Sequence, residues 1–253
     1  MRKLILSIAL LFIVPILLFA QQADSSLIVK ADSLYESFNE EKALDSYLKI
    51  LEQEPEHYEA LWRGSFLYSR VGNRLDKKSE KKEYFNKAIS LAERALKADS
   101  TDSQSNFVMA VAKGRKALIS GAKDRVAASR AIKKYADRAL KDDENHAGAW
   151  HVLGRWHFKV ANLSWIERAA ANTLFGGIPG DASNEKAAEA IEKAISLNED
   201  YILYYLDLAK VYEEMGREQD AIDKCNVALK KPLLTPDDSK LKNECKDLVE
   251  DLR

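Results

Sequence analysis

From Leu27 to the C-terminus, apolar and small residues recur three and four positions apart, the period of a helix face. No segment shows the strict alternation of a half-buried strand. Small or small polar residues at Ala31, Ser65, Ala110, Gly154 and Ala209 mark points where two helix backbones can approach closely. Each is followed by a second apolar stripe. These stripes open at Ala43, Ala88, Ile132, Ala187 and Ala221, and close at Ile50, Ala95, Ala139, Ala194 and Ala228. The pattern predicts five pairs of antiparallel helices.

Spacing tests the pairing. The steps Ala43 to Ser65, Ala88 to Ala110, Ile132 to Gly154 and Ala187 to Ala209 are each 22 residues. Within the pairs the steps are 12, 23, 22, 33 and 12 residues. All the extra length therefore falls inside the middle three hairpins and none between hairpins. A stacked solenoid requires this, because the step between units sets the stacking while a loop within a unit does not. The run Trp150-His-Val-Leu153-Gly154-Arg155-Trp156 matches the opening of a tetratricopeptide repeat (TPR). The expected fold is all-α: a TPR-like α-solenoid of about five helix hairpins, in a single domain over 21–253.

The insertions have their own signals. Asn73 to Lys82 is charged and reads as a solvated extension of the second helix of unit two. Gly121, within the segment around Ile119 to Ala128, separates two long helices in unit three, whose start carries a capping box of Thr101 with Gln104. In unit four, Ser164 with Glu167 forms another, so Trp165 to Phe175 should be an extra helix, with Gly176-Gly177-Ile178-Pro179-Gly180 as a loop within 163–181. Thr235-Pro236-Asp237-Asp238 predicts a final helix over 237–253 that covers the apolar end of the stack.

Residues 1–20 read as a separate device. Arg2 and Lys3 precede the apolar run Leu4 to Phe19, and Ala20 precedes Gln21-Gln22, the pattern of a secretory signal peptide cut after Ala20. That places the protein in the periplasm of a bacterial-type envelope. The alternative is an uncleaved anchor, which would tether the solenoid to the membrane. The chain carries 39 basic and 40 acidic residues, and loses Arg2 and Lys3 on cleavage, leaving a net charge of −3. This balance gives no electrostatic reason to expect nucleic acid or, without the anchor, a membrane surface as partner. Export permits a disulfide between Cys225 and Cys245, although two buried free thiols fit their helical slots better.

Leu153-Gly-Arg-Trp156, Asn162-Leu-Ser-Trp165-Ile-Glu-Arg168, Leu174-Phe-Gly176 and Pro179, followed by a repeat helix and a Pro-Asp-Asp cap, resemble the regulator of microtubule dynamics family. The resemblance is clearest from His146 to Asp238. It implies a TPR-like helical protein without known catalytic residues, whose animal members associate with microtubules or tether organelle membranes. The export signal sets this chain apart from them, because an exported protein would not meet tubulin.

Chemistry is sparse. His57, His146, His151 and His157 lie at spacings that do not share a helix face, and no zinc, calcium or nucleophile motif is present. Helix-surface or capping roles suit these histidines better than metal ligation. The glycine-rich loop lacks the Lys-Ser/Thr of a phosphate loop and follows no strand. No catalytic, metal or cofactor site is expected.

Binding fits better. The positions three before, one after and five after each small slot form one stripe on the first helices, which line a solenoid's concave face. They read Trp62, Phe66, Arg70; Phe107, Val111, Arg115; His151, Arg155, Lys159; Leu206, Lys210, Glu214. The candidate partner-binding residues are Trp62, Phe66, Arg70, Phe107, Arg115, His151, Arg155, Lys159 and Lys210. They suit a protein or peptide with apolar and acidic groups or a free carboxylate. The competing expectation makes the aromatics core and pairs the arginines with neighbouring acids. A small-molecule pocket beneath the Trp165 helix is a third and weaker possibility.

Overall fold

The computed structural model describes residues 26–175, 177 and 182–253. Residues 1–20, expected to be a signal segment, and most of the loop 176–181 lie outside the described residues. Among those described, every regular element is a helix. Hairpin one pairs α1 (26–36) with α2 (Glu40–Gln53), and hairpin two pairs α3 (Tyr58–Arg74) with α4 (Lys78–Ala98). Next come α5 (Ser103–Leu118) with α6 (Ala122–Asp142), then α7 (Ala147–Ala161) with α9 (Asn184–Leu197). The inserted helix α8 (Trp165–Phe175) packs on α6. Helices α10 (Ile202–Glu214) and α11 (Glu218–Lys230) form the last hairpin, covered by α12 (Asp238–Asp251).

The small slots do what the stacking demands. Ala31, Ser65, Ala110, Gly154 and Ala209 are all buried. A Cβ on Gly154 would fall 2.5 Å from Ile191 Cγ1 and 3.0 Å from the carbonyl oxygen of Ala187, so any side chain there would force α7 and α9 apart. Ser65 keeps its hydroxyl because it donates to the Ala88 carbonyl of the facing helix at 2.8 Å. The second-helix slots are buried as well, with one exception. Ile132 is only half-buried, and the buried residues of α6 are instead Val126, Ala136 and Ala139.

In hairpins two and three the insertions lengthen helices, whereas in hairpin four the insertion adds the separate helix α8. Helices α4 and α6 run 21 residues against 14 for α2. Ser164 and Glu167 cap α8 reciprocally: Ser164 Oγ and its backbone N–H both donate to Glu167 Oε2, at 2.7 and 3.0 Å. At α5 the cap differs from the expectation. Asp102, not Thr101, accepts from the N–H groups of Gln104 and Ser105, because Thr101 is turned back onto Asp99. At α12 the bonding also runs backwards. Buried Asp238 accepts from the N–H groups of Leu234 and Thr235 and from the Thr235 hydroxyl.

Hairpins one and five share their length but not their turns. Gly216 takes φ +69° between α10 and α11, where glycine is unstrained, whereas Phe38 takes φ +64° between α1 and α2. Two turn hydrogen bonds, Phe38 N–H to Tyr35 and Asn39 N–H to Leu34, hold it there.

Buried side chains collect in two large clusters, one over hairpins one and two with Ala112, the other over α9 to α12. A smaller group containing Val108 and Met109 lies between them. Cys225 and Cys245 are free, fully buried thiols in hydrogen-bonding contact within the second cluster. That contact lowers the pKa of one and, with burial, raises that of the other.

Candidate functional site

The first helices present the stripe read from the sequence, and its two halves behave differently. Phe66 and Phe107 rest against each other with ring centroids 5.6 Å apart, and His146 covers Phe107 at 4.5 Å. Gly148 leaves room for that ring, since a Cβ there would meet Phe107 at 2.7 Å. Trp62 packs beside them with the Arg63 guanidinium 4.5 Å above its ring. All three aromatics are half-buried and join the packing of α3 and α5 while leaving a face open.

The basic half turns inward and meets groups from distant hairpins. Arg70 is buried; its Nε lies 2.7 Å from Glu40 on α2, its Nη2 3.5 Å from Asp237 before α12, and its Nη1 donates to the Tyr201 hydroxyl at 2.5 Å. Arg74 joins the same group, with Nη1 2.7 Å from Glu40 and 3.5 Å from Asp237. The second hairpin thus grips the C-terminal cap across the curve of the solenoid. Burial works against the Arg70 charge, but Tyr201, Glu40 and Asp237 outweigh it and raise its pKa.

Arg115 occupies the equivalent place one hairpin on, and its surroundings are the reverse. Its Nη1 donates to Asn73 Oδ1 at 3.0 Å, and among the described residues no carboxylate stands within ion-pair distance. Burial, followed by the neighbouring charge of Arg155, pushes its pKa down to about 10. Arg155 itself donates to Asp207 Oδ2 at 2.9 Å, an oxygen that also accepts from His151 Nε2 at 2.7 Å. Burial holds His151 below the usual imidazole range, so the neutral ring donates Nε2–H to Asp207. Burial opposes the Asp207 charge, yet Arg155 and His151 hold its pKa well below the usual carboxylate range. His151 also stacks on Tyr204 at 4.6 Å, which in turn stacks on Tyr201.

Beyond this group, Arg155, Lys159, Asp207 and Lys210 line a cleft of about 130 Å³ floored by Phe158, Ile191 and Val211. Lys159 is exposed there, while Lys210 reaches Glu244 on the capping helix at 2.9 Å. Leu206 is core and Glu214 faces solvent, so the stripe does not continue as a surface through the last hairpin. Arg70, Arg115, Arg155, Lys159 and Lys210 therefore share one concave region, with Trp62, Phe66 and Phe107 on its flank. The other histidines have structural places. His57 and His146 cap α3 and α7 by accepting backbone N–H groups, and His157, expected at a helix surface, is buried beside Trp156.

Sequence reading missed Glu40, Asn73, Tyr201, Tyr204, Asp207 and Asp237. None lies on the stripe as defined. Asp207 alone carried a usable signal, being the one charged residue in 202–209, two positions before a small slot.

Comparisons with known proteins agree on lineage and fold. The family model described as Regulator of microtubule dynamics protein 1-3 matches residues 27–253. Regulator of microtubule dynamics protein 2 of Mus musculus is 29% identical over 231 residues, covering 90% of this chain and 56% of that protein. Protein 3 of Rattus norvegicus is 29% identical over 189 residues, covering 74% and 40% respectively. The chain thus spans about half the length of the curated relatives it matches. Among solved structures, a thermophilic TPR protein of Thermus thermophilus superimposes with a TM-score of 0.65 at 16% identity, over 90% of this chain and 99% of that one.

Proposed function

Because the chain belongs to the regulator of microtubule dynamics family, we propose that it is a non-enzymatic TPR scaffold whose concave face takes a carboxylate-bearing segment of a partner protein. One observation carries this reading: Arg115, a cation enclosed by the solenoid, has an amide as its hydrogen-bonding partner and Arg155 as its electrostatic neighbour. A carboxylate entering beside it would form charge-assisted hydrogen bonds and relieve the repulsion at once. The half-buried Phe66 and Phe107 offer an apolar contact for the residues that precede that carboxylate.

The setting we propose is the cell envelope, on the strength of Arg2-Lys3, the apolar run to Phe19 and the Ala20-Gln21 junction. The microtubule association of animal relatives then does not transfer, and the partner is an envelope protein. Mass spectrometry of the N-terminus checks the setting: Gln21 as first residue supports export with cleavage, and an intact Met1 start favours a membrane-tethered scaffold.

Binding is tested with a labelled peptide bearing aromatic and acidic residues, prepared with a free C-terminal carboxylate and as the amide. Its acidic side chains report general acidity, and the difference between the two forms reports the terminal carboxylate. The free acid should bind the mature chain about tenfold more tightly, the scale of one charge-assisted contact. Arg115→Met should abolish the difference while the circular dichroism stays unchanged. Equal affinities for acid and amide in the unmodified protein would exclude a terminal carboxylate, and an affinity that also survives replacing the acidic side chains by their amides would refute the reading.

A further inference from the structure

The two cysteines of the chain meet where the cap joins the last hairpin. Cys225 lies midway along α11, on the buried stripe it shares with Ala221 and Ala228. Cys245 lies midway along α12, just before the buried pair Leu248 and Val249. The two helices pack against each other and both thiols are fully buried in one apolar cluster, sulfur against sulfur. The cap itself is a terminal helix: α12 packs on α10 and α11, and Asp237 just before it reaches Arg70 and Arg74.

The pair is polarised. The Cys245 thiol donates to Cys225 Sγ, which favours the thiolate of Cys225 and keeps the proton on Cys245. Lys210 on α10 adds a positive charge that favours thiolate at both positions, while Glu244, which it meets at 2.9 Å, opposes ionisation of its neighbour Cys245. One sulfur is thus set to attack and the other to follow.

We propose that Cys225 and Cys245 are a disulfide-forming site, a redox latch that fastens the capping helix to the last hairpin. The oxidant is a second disulfide, RS–SR. When α12 lifts, the Cys225 thiolate attacks one sulfur of RS–SR, forming a Cys225–SR mixed disulfide and expelling RS⁻. As α12 closes, Cys245 loses its proton and attacks Cys225 Sγ, which forms the Cys225–Cys245 bond and expels the second RS⁻. The two cysteine protons leave on the two RSH products, the cysteines are oxidised, and RS–SR is reduced. An excess of thiol runs the same steps backwards. The chemistry rests on the contact between the two sulfurs and is independent of the concave site; its use in the cell rests on the envelope setting, where such oxidants are found.

The test incubates the mature chain with oxidised glutathione, in buffer and in mild urea that lets α12 open, then denatures it and alkylates the remaining thiols. Intact mass should show a monomer with neither cysteine alkylated, about 2 Da lighter than the reduced chain, and dithiothreitol should restore both sites to alkylation. Closing a loop of this size should raise the thermal midpoint by about 5–10 °C over the reduced form. Cys225→Ala with Cys245→Ala should show no such shift with oxidant. Two alkylated cysteines after incubation in mild urea, a stable glutathione adduct, or a bridge between two chains would overturn the proposal. So would a bridged monomer that melts no higher than the reduced chain, since the bond would then fasten nothing, or a shift that persists in the double variant. The N-terminal mass that decides the envelope setting is a separate measurement, so failure of either leaves the other readable.

Discussion

Arg70 and Arg115 stand five residues after the small slot of successive hairpins, yet the fold gives them opposite lives. Arg70 is held by Glu40, Asp237 and Tyr201, groups 30, 167 and 131 residues away in the chain, and its pKa rises. Arg115 meets Asn73 and a second arginine, and its pKa falls to about 10. Repeat position sets only where a side chain points. Its energetic role depends on what the curve of the solenoid brings opposite, and here that curve brings a lock to one arginine and leaves the next, among the described residues, without a carboxylate at ion-pair distance.

The largest expected effect comes from removing the locked member. Arg70→Ala strips one of two cations from buried Glu40, and should cost about 3–5 kcal/mol in urea unfolding. A loss below about 1 kcal/mol would mean the lock contributes nothing. Asp237→Asn acts on the same group from the other end. Because the Asp237 side chain is partly exposed, its loss should be about 1 kcal/mol, and much of it should vanish in an Arg70→Ala background if the two residues act as a pair.

Arg155, one residue after the small slot of the fourth hairpin, is paired through Asp207, and its state is coupled to a histidine. The pKa of His151 is lowered on folding, so the unfolded chain takes up a proton near pH 6.5 that the native chain resists. Stability from this group is complete above that pH and is lost as pH falls below it. His151→Gln should flatten the pH dependence below about pH 6.5, a change thermal unfolding at stepped pH would detect. The smallest effect belongs to Arg115→Met. Replacing a partly satisfied, half-buried cation by an apolar side chain of similar length should leave stability within about 1 kcal/mol of the parent, or raise it. A clear destabilisation would show that Asn73 satisfies Arg115 fully, and the contrast between the two arginines would disappear.

Much of the architecture was written in local spacing. The 22-residue step located the hairpins because close helix contacts tolerate only small residues, as Gly154 against Ile191 demonstrates. Ser164 and Glu167 announced α8 because a capping box is a contact within four residues. The miss at Thr101 has the same local origin: Asp99 competed for its hydroxyl, and Asp102 took the cap. The candidate site was legible only as one face of each helix. Glu40, Asp207 and Asp237 complete it from other hairpins, and helical periodicity carries no information about how far a stack curves before its ends meet. The acids foreseen as neighbours of the arginines therefore exist, but for Arg70 they come from opposite ends of the chain.

An open stack of hairpins melts like a zipper, one terminal tooth at a time, because each unit leans only on its neighbours. Here the Arg70–Glu40–Asp237 contact ties the second tooth to the slider. Neither end can peel away without first undoing a bond to the other, so the ring of contacts turns a fraying polymer into a single cooperative object.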